Sequence, residues 1–504
     1  MSLAVVNSCV LIGMQPYAVQ VEVHIGAGLP AFTVVGLPDA GVRESRERVR
    51  SALQSSGFSF PVARITVNLA PADLPKDAAH FDLPIAMGIL QASGQLALVS
   101  EQASAVPLCI DQYIFAGELS LTGALLRLAA PIAVVWGASR LGFTQVIMPL
   151  MSASSVAQLA GMQIYGVASL RQLVDALMEH ELSCTAPDEP LPCAPLSVTL
   201  CMSEVKGQAQ AKHALEVAAA GRHNVLFRGT PGVGKSMLAH RLGTLLPVLS
   251  EAQRLEVAVL AGVAGRAEPL HGAAPFRSPH HSASMVALVG GGSRPKPGEI
   301  SLAHHGVLFL DEVAEFSRSA LEALREPLET GGITIARAGR SIWFPADFQL
   351  VAAMNPCPCG WMGHAVQPCV CTPERVDRYR AKLSGPFMDR LDVCVNLKVE
   401  TQVVDEAQTV SEPSTHIRQR VIAAQQRQYQ RQGCLNGRLE GVALAEHTVL
   451  EPEAKRLLRQ CVQRWGWSGR SVQRLRKVAR TIADLASEEQ IQVEHLAQAI
   501  QYRS

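Results

Sequence analysis

The amino-acid sequence predicts an α/β fold whose parallel sheet carries its functional loops at one edge, preceded by an α+β domain and followed by helices. Three observations lead to this prediction. Short apolar stretches alternate with amphipathic segments, one such stretch runs into a glycine-rich loop, and two others end in polar side chains. Because open parallel sheets bind ligands at the carboxyl ends of their strands, we expect these three endings to share one edge.

The chain divides into four predicted segments, which are residues 1–178, 179–198, 199–401 and 402–504. The first contains two strands around a Gly-Ala-Gly-Leu-Pro turn, an Arg- and Glu-rich helix over 42–56 and a strand over 64–69. The second has four prolines within 181–196 and no periodicity, which indicates a linker. The third alternates strands and helices, and the fourth is helical up to an amphipathic helix over 470–486.

The composition is that of a globular protein. Of the 504 residues, 48% are hydrophobic and 18% are charged, which is enough for several packed cores. The net charge of +1 gives the whole chain no polyelectrolyte character, but residues 411–504 hold 15 Lys and Arg against 9 Asp and Glu. This local excess fits an anionic partner such as DNA, and it fits a solvated helical surface equally well.

The amino terminus reads as a strand. It lacks the basic region of a signal peptide, and Asn7, Ser8 and Gly13 interrupt its apolar run. No stretch of about 18 uninterrupted apolar residues occurs, so no membrane span is predicted. We expect a cytoplasmic protein whose 12 cysteines stay reduced.

A complete phosphate-binding loop follows a strand predicted over 224–228, downstream of a helix predicted over 203–219. Its pattern is G-x-x-x-x-G-K-S, formed by Gly229, Thr230, Pro231, Gly232, Val233, Gly234, Lys235 and Ser236. Glycines let backbone N–H groups turn toward phosphate oxygens at the amino end of the next helix. Lys235 would neutralise the β- and γ-phosphates, and Ser236 would bind Mg²⁺. The sequence therefore predicts a site for ATP and Mg²⁺.

Two later strands end in polar side chains. The apolar run 307–310 is followed by Asp311 and Glu312, and the strand predicted over 348–354 is followed by Asn355. Asp311 would hold the Mg²⁺ shell, and Glu312 would orient and polarise the attacking water. Asn355 could hydrogen-bond the γ-phosphate or that water. Two acids at a strand end are common on surfaces, but downstream of a phosphate loop the pattern favours catalysis.

Several motifs, taken in order, resemble one known family. They are 229–236, 306–312, Asn-Pro-Cys-Pro-Cys-Gly at 355–360, Gly-Pro-Phe-Met-Asp-Arg-Leu-Asp at 385–392 and the arginine-rich segment 468–485. Together they resemble the magnesium-chelatase-related AAA+ family over nearly the whole chain. The resemblance implies an AAA+ P-loop core with a helix-2 insert and a pre-sensor-1 hairpin, followed by a helical lid. It also implies that Asn355 is sensor 1.

The same resemblance assigns two arginines. Arg390, in Asp-Arg-Leu-Asp, would be the arginine finger that acts on the neighbouring subunit, and Arg470, in Ser-Gly-Arg, would be sensor 2. An arginine supplied by a neighbour stabilises the transferring phosphoryl group and is worth about 10³–10⁵ in rate. A finger at a far edge cannot act on its own nucleotide, so this geometry requires a ring. The family implies a homo-hexamer.

The amino-terminal segment resembles the Lon-protease-type domain. Pro-Lys-Asp-Ala-Ala-His at 75–80 matches the nucleophile motif of that domain, but His80 stands at the serine position and Ile132 at the lysine position. Ser–Lys catalysis needs a hydroxyl nucleophile and an amine base, and both are absent at these positions. We expect a catalytically inactive domain that serves as a structural part, a partner platform or a DNA collar.

Four cysteines cluster after the predicted sensor 1. Cys357, Cys359, Cys369 and Cys371 form a C-x-C…C-x-C pattern with nine residues between the pairs. Four thiolates suit tetrahedral Zn²⁺ or another thiophilic ion, and the alternative is a loop with four incidental thiols. The histidine pairs 280–281 and 304–305 are weaker candidates for a metal site than the four cysteines. Adjacent residues on a strand point to opposite faces, and no carboxylate lies at ligand spacing.

Three segments could contact DNA, and one of them is the Arg- and Gln-rich helix predicted over 416–432, for which a solvated helix face is the alternative. Residues 333–344 read as a β-hairpin in which Arg337 and Arg340 flank an Ala-Gly tip. In the family this position is the hairpin that projects toward the pore of the ring. The arginines would bind phosphates without reading sequence, and a solvated hairpin is the alternative. Residues 276–298 resemble the helix-2 insert, and their glycine run beside two cations predicts a mobile basic loop.

These features favour a DNA translocase or helicase, and the resemblance implies branch migration in homologous recombination during natural transformation. The alternative is a chelatase-type motor that remodels a partner protein, although chelatase motor subunits usually lack a Lon-like front domain. An ATP-dependent protease is disfavoured by His80 and Ile132. The expected partners are further copies of the chain and DNA of any sequence. The expected cofactors are ATP and Mg²⁺, with Zn²⁺ at the four cysteines if they hold a metal.

Overall fold

The computed structural model describes residues 2–36, 40–74, 79–96, 110–159, 161–186, 200–266, 272–292, 295–337, 340–398 and 411–503. It gives no side-chain environment at 40–43, 337 and 340. Most of the predicted linker and the predicted boundary between 401 and 402 lie outside the described residues. The chain forms two compact units, Met1–Ala194 with Ala258–Leu270 and Pro195–Val257 with His271–Ser504.

The first unit mixes strands and helices. Its strands are β1 (Ser2–Ile12), β2 (Gln15–Gly26), β3 (Ala31–Val35), β4 (Arg64–Ala70), β5 (Tyr113–Phe115), β6 (Glu118–Leu119), β7 (Leu125–Leu126), β8 (Gln145–Pro149) and β9 (Gln163–Val167). Its helices are α1 (Ala40–Ser55), α2 (Asp82–Ala92), α3 (Pro131–Arg140), α4 (Leu150–Ala153) and α5 (Leu170–Met178). One sheet has the order β1-β2-β4-β3, and β5, β8 and β9 form a parallel sheet. The helix and strand predicted near 42–56 and 64–69 are confirmed as α1 and β4.

Alternation of side chains explains how β2 supports this unit. Val19, Val21 and Val23 are buried, whereas the residues between them are at least partly exposed. Helix α2 packs on β1 and β2, and it approaches them closely at Gly88, where a Cβ atom would lie 2.5 Å from Val23 Cγ2. The apolar face of the sheet and the helix therefore form one hydrophobic core.

The second unit holds the remaining elements. Its strands are β10 (Val225–Arg228), β11 (Phe276–Arg277), β12 (Gly290–Gly291), β13 (Lys296–Pro297), β14 (Val307–Leu310), β15 (Gly332–Arg337), β16 (Arg340–Pro345), β17 (Gln349–Met354) and β18 (Val393–Asn396). Its helices are α6 (Ala209–Gly221), α7 (Lys235–Leu245), α8 (Glu251–Val263), α9 (Met285–Val289), α10 (Glu299–Leu302), α11 (Arg318–Glu322), α12 (Arg325–Thr330), α13 (Pro373–Arg380), α14 (Gly385–Met388), α15 (Ser414–Gln432), α16 (Gly441–His447), α17 (Pro452–Trp465), α18 (Gly469–Ala486) and α19 (Val493–Gln501). The division between the two units falls within α8.

A five-stranded parallel sheet organises the second unit. Its order is β11-β14-β17-β10-β18, and every neighbouring pair is parallel. Val225 and Phe227 of β10 belong to the hydrophobic core on one face, whereas Leu226 belongs to the core on the other. Burial on both faces explains why the central strands read as continuous apolar runs. The predicted α/β class is therefore confirmed, and the carboxyl ends of β10, β14 and β17 share one edge.

The residues after 411 are largely helical in the described part of the chain. Helices α15 and α18 pack against α6, and the Ser468 hydroxyl caps α18 by accepting the Ser471 N–H at 3.2 Å. The helices predicted over 416–432 and 470–486 are confirmed as α15 and α18. No described helix is long and apolar enough to span a bilayer.

Two details of the second unit differ from the prediction. The helix expected over 203–219 starts only at Ala209, because Gly207 and Gln208 adopt positive φ values of 63° and 51°. The glycine run predicted as a mobile loop contains the β12–β13 hairpin, which follows α9. Gly290 is required there, because a Cβ atom would lie 2.2 Å from the Lys296 carbonyl oxygen.

Candidate functional site

The phosphate-binding loop connects β10 to α7. Gly232 and Gly234 have φ values of 80° and 91°, a left-handed conformation that glycine adopts at little cost. Helix α7 begins at Lys235 with Gly234 as its amino-terminal cap, so its first N–H groups open toward the loop. The Thr230 hydroxyl is buried and has no hydrogen-bond partner among the described residues. The loop therefore has the donors and the shape that a phosphate chain requires.

Lys235 lies at the centre of this loop. Its ammonium donates to the carbonyl oxygens of Gly229 and Thr230, at 2.7 and 3.0 Å, and to Asn355 Oδ1 at 2.9 Å. The ends of β10 and β17 thus bring the predicted phosphate-binding lysine and the predicted sensor into contact. A phosphate oxygen would compete for these neutral acceptors, because a charged acceptor forms the stronger bond with an ammonium group.

The acidic pair at the end of β14 meets the same loop. The Ser236 hydroxyl donates to Asp311 Oδ2 at 2.6 Å, and the Glu312 N–H donates to Asp311 Oδ1 at 2.9 Å. Partial burial lowers the pKa of Lys235, while the Asp311 and Glu312 carboxylates act in the opposite direction. A hydroxyl beside a carboxylate is the oxygen donor set that Mg²⁺ takes, so Ser236 and Asp311 fit that ion.

Glu312 has a neighbour that the sequence did not reveal. His281 Nδ1 lies 3.3 Å from Glu312 Oε2, and Glu312 itself has a left-handed φ of 50°. His280 and His281 stand at a turn after β11 with their rings 4.1 Å apart, so the expectation that they lie on a strand was wrong. The sequence held no local signal for this pairing, because β14 and the turn are brought together only by the sheet.

A cavity of about 640 Å³ opens beside the loop. Gly229 and Thr230 line one side of it, and residues of the four-cysteine loop, Met362, Gly363 and Ala365, line another. Three basic residues also line it, namely Arg228, Arg380 and Lys398. The cavity is therefore a cleft with a positive wall next to the phosphate-binding residues, as an anionic ligand requires.

Arg390 lies at the other edge of the parallel sheet. Its carbonyl accepts from Asn224 Nδ2 at 2.8 Å, and Asn224 immediately precedes β10. The four residues of β10 lie between Asn224 and the phosphate loop. The strand therefore separates Arg390 from the phosphate loop by about 13 Å. The Arg390 guanidinium donates to Glu329 and to the Pro386 carbonyl. The structure does not bring Arg390 to the phosphate loop of its own chain.

Arg470 lies in the first turn of α18 and is exposed. Its guanidinium has no hydrogen bond or ion pair with a described residue. One turn further, Arg474 donates to the Leu391 carbonyl at 3.2 Å and to Asp389 Oδ1 at 2.8 Å. The start of α18 is therefore tied to the segment that carries Arg390. This second arginine was not predicted, although it lies on the same helix face as Arg470, four residues away.

The four cysteines meet at one point. Cys357 Sγ lies 3.4 Å from Cys359 Sγ and 3.6 Å from Cys369 Sγ, and the Cys359 and Cys369 sulfurs are 3.5 Å apart. All four Sγ atoms, including that of Cys371, lie within 4.8 Å of one another. The backbone N–H groups of Trp361 and Val370 lower the pKa of Cys359 to about 6. Four sulfurs at these separations fit a thiophilic ion in a tetrahedral site.

The second histidine pair has a different neighbourhood. Glu256 Oε2 lies 2.7 Å from His305 Nε2 and 3.3 Å from His304 Nε2, although no carboxylate stands at ligand spacing in the sequence. The histidines occupy a turn before β14 rather than a strand, and α8 supplies the acid. His304 Nδ1 accepts the Asp347 N–H at 3.0 Å, which leaves the proton on Nε2, facing Glu256.

This hydrogen bonding explains the charges of the cluster. The bonds from His304 and His305 hold the pKa of Glu256 well below its ordinary range. Burial lowers the pKa of His304 to about 4, so this ring is neutral at pH 7. Because the Nε2 atom of His304 already carries a proton, the cluster is better described as a structural hydrogen-bonded group than as a metal site.

The hairpin predicted over 333–344 is formed by β15 and β16, with Arg337 directly opposite Arg340. The side chains of both arginines and the tip at 338–339 lie outside the described residues. In the first unit, His80 Nε2 donates to the Cys9 carbonyl at 3.0 Å, and Ile132 lies in α3 against a hydrophobic core. Neither side chain offers the hydroxyl or the amine of a Ser–Lys pair.

Comparisons with known proteins give the family. The family described as "Magnesium chelatase, subunit ChlI" matches residues 201–404, "Subunit ChlI of Mg-chelatase" matches 21–152, and "Magnesium chelatase, subunit ChlI C-terminal" matches 411–503. A magnesium-chelatase 67 kDa subunit of Chlorobaculum tepidum is 27% identical over 159 residues, which are 31% of this chain and 23% of that protein.

Several relatives match the chain from end to end. The chain is 44% identical to the uncharacterized protein YifB of Salmonella typhimurium over 508 residues, which cover all of this chain and 97% of YifB. It is 42% identical to the competence protein ComM of Haemophilus influenzae over 510 residues, which cover all of this chain and 98% of ComM. The chain therefore belongs to the magnesium-chelatase-related family that includes YifB and ComM.

Proposed function

We propose that the chain is the subunit of a homo-hexameric AAA+ ATPase that translocates on DNA and promotes branch migration in homologous recombination during natural transformation. Family membership suggests an ATPase of the AAA+ type, and one full-length relative is named a competence protein. The observation that carries the proposal is the position of Arg390, at the sheet edge opposite the phosphate loop. A hydrolysis site divided in this way is completed by a second copy.

Within one chain, the residues of the phosphate loop would bind and orient the nucleotide. Lys235 would exchange Asn355 and the two loop carbonyls for phosphate oxygens. Mg²⁺, when bound by Ser236 and Asp311, neutralises phosphate charge. Glu312 would orient the attacking water, and Asn355 would hold the γ-phosphate or that water. Arg390 of a neighbour would then stabilise the charge that develops on the transferring group.

DNA contact is assigned to the hairpin of β15 and β16. The pairing of Arg337 with Arg340 places two cationic residues at the end of a hairpin, next to its tip. Cationic side chains bind phosphates without selecting a base sequence, which suits a motor that must move along DNA. The basic excess of residues 411–504 supports a further contact with an anionic polymer.

ATP hydrolysis in the presence of different DNAs tests the proposal. We expect single-stranded, duplex or four-way-junction DNA to raise the rate of ATP hydrolysis. We expect the branch point of a four-way junction to move only when ATP is present. Lys235→Ala should remove both effects. The double variant Arg337→Ala, Arg340→Ala should keep basal ATPase but lose stimulation, whereas Arg456→Ala, which removes an exposed arginine of α17, should keep both. Wild-type hydrolysis that ignores every DNA would contradict the proposal.

The same measurement with different DNAs also tests the alternative function. A chelatase-type motor that remodels a partner protein is favoured by the local similarity to a magnesium-chelatase subunit. Such a motor would hydrolyse ATP and form rings, but it would leave the junction unchanged and its rate would not respond to DNA. Ring formation alone therefore does not separate the two functions, and junction movement does.

A further inference from the structure

We infer that the four cysteines bind one thiophilic divalent ion of the Zn²⁺ class, and that this ion holds the loop 357–371 as a wall of the nucleotide cleft, so that its occupancy controls nucleotide affinity. The inference rests on the nucleotide site of the proposed function. It goes beyond that function by giving the chain a second bound ligand, away from the phosphates, on which the shape of the cleft depends.

The sulfur positions support the choice of ion. Three of the sulfur–sulfur separations lie between 3.4 and 3.6 Å. A Zn–S bond of about 2.3 Å gives a tetrahedral edge of about 3.8 Å, so only small shifts would be needed. A covalent disulfide would place two sulfurs about 2.05 Å apart, which these separations exclude. Cys357 is fully buried, so its sulfur is shielded from water on the inner side.

The loop touches the phosphate loop directly. Gly360 has a φ of 84°, and a Cβ atom there would lie 2.8 Å from Pro231 Cγ. The Gly360 N–H donates to the Cys357 carbonyl at 3.0 Å, so this contact lies within the turn that joins two of the four cysteines. An ion that fixes Cys357 and Cys359 therefore also fixes the backbone that packs on Pro231.

The loop also continues from the predicted sensor. Asn355, which contacts Lys235, is two residues before Cys357. Further along, Met362, Gly363 and Ala365 line the cavity that Gly229 and Thr230 line from the other side. The fifteen residues from 357 to 371 are thus held at both ends by sulfur ligands and pack on the cleft between them. Without the ion, ordering this segment would cost conformational entropy each time a nucleotide binds.

The experiment compares metal content and nucleotide affinity in the full-length protein. Metal is measured by plasma mass spectrometry after growth with Zn²⁺, and affinity is measured by titration with a fluorescent ATP analogue. We expect about one ion per chain in the wild type, in agreement with a single closed four-thiolate site. The variants are the double Cys359→Ser, Cys371→Ser and, as a matched control, Cys434→Ser, which changes a partly buried cysteine outside the cluster.

The double variant should lose the ion and bind the analogue about tenfold more weakly, because the loop must then be ordered on binding. Cys434→Ser should match the wild type in both measurements. Replacement of the ion by Co²⁺ in the wild type should give the visible absorption of tetrahedral thiolate coordination. The proposed metal site is contradicted if the wild-type protein contains no thiophilic ion, or if the double variant retains the ion.

Gly360→Ala tests the contact between Gly360 and Pro231 without removing the ion. It also keeps the inference testable if the double cysteine variant does not fold. It keeps all four ligands, so the ion should remain, but its side chain meets Pro231 and affinity should fall. Unchanged affinity in Gly360→Ala, or in the metal-free double variant, overturns the link between the ion and the cleft. Lys235→Ala should lose the nucleotide and keep the ion. A protein that binds both ligands but ignores DNA contradicts the proposed function and leaves this inference intact.

Discussion

The two edges of the central parallel sheet differ in how far the residues of the proposed hydrolysis site are already assembled. At the carboxyl edge, two pairs of side chains are already hydrogen-bonded. Lys235 donates to Asn355 at 2.9 Å, and Ser236 donates to Asp311 at 2.6 Å. At the amino edge, Arg390 is held by Glu329 and by the backbone of its own segment, and it meets none of these residues. One chain thus assembles the groups that are predicted to bind phosphate and Mg²⁺, and leaves the predicted finger at the opposite side.

Under the proposed function, this difference separates the groups that act within a subunit from the group that acts between subunits. Residues that must bind the nucleotide first are preorganised by neighbouring strands, so they need no partner. The backbone of Arg390, the proposed finger, is held by Asn224, which immediately precedes β10, at the end of the strand away from the phosphate loop. Hydrolysis would then depend on assembly, and changes at the two edges should have different signatures.

The largest effect is expected for Arg390→Ala. The rate of ATP hydrolysis should fall by about 10³-fold or more while nucleotide affinity stays near that of the wild type, because the finger acts on the transition state. Mixing this variant with Lys235→Ala should restore part of the activity, since the intact Arg390 of one chain can meet the intact loop of the other. No recovery over a range of mixing ratios would contradict action between subunits.

Glu312→Gln tests the carboxyl edge and should lower the rate by about 10²-fold, because the water loses its orienting carboxylate. The variant should still bind the nucleotide and assemble, as measured by analogue titration and by light scattering. Unlike Arg390→Ala, it should not be rescued by mixing with Lys235→Ala, because each chain then lacks a group from the same edge. ATP hydrolysis at the wild-type rate in this variant would show that Glu312 does not orient the attacking water.

The amino edge should also respond to pH through His223. Burial lowers the pKa of this histidine to about 4, and the ring pairs with the Thr481 hydroxyl at 2.7 Å. The unfolded chain, with a pKa near 6.5, binds the proton first, so stability is lost as pH falls from about 6.5 to about 4. At pH 5 the loss is about 2 kcal/mol. Thermal midpoints at pH 7 and 5 should differ less in His223→Gln than in the wild type.

The smallest effect concerns the contact between His281 and Glu312. Both side chains are substantially exposed, so their attraction is worth about 0.2–1 kcal/mol. His281→Ala should release the carboxylate and raise basal hydrolysis by at most about fivefold, with no change in nucleotide affinity. His280→Ala, at the neighbouring position, serves as the control. A lower rate in His281→Ala would mean that the histidine assists Glu312 rather than competing with the water for it.

The local part of the site could be predicted from the sequence. The phosphate loop, the acidic pair and Asn355 each follow an apolar strand, and parallel strands bring their carboxyl ends to one edge whatever lies between them. The start of α6 could not be read in the same way, because Gly207 and Gln208 interrupt a helical pattern only through their backbone conformation.

Contacts between distant segments were missed for a different reason. Glu256 meets His304 and His305 across 48 and 49 residues, and Arg474 meets Asp389 across 85. None of these pairs follows from residue spacing, because spacing identifies neighbours on one helix or strand only. The roles of Arg390 and Arg470 rest on family resemblance, and the structure contributes their positions.

The division of the chain into units has a consequence for how such a protein can change over time. The first unit includes Ala258–Leu270, a stretch that lies inside the sequence of the second. A product that ended at residue 194 would lack this stretch of the first unit, and a product that began at residue 195 would carry it in addition to the second unit. Neither product would therefore correspond to one unit, and the relatives from Salmonella typhimurium and Haemophilus influenzae, which align over 97% and 98% of their lengths, span both units.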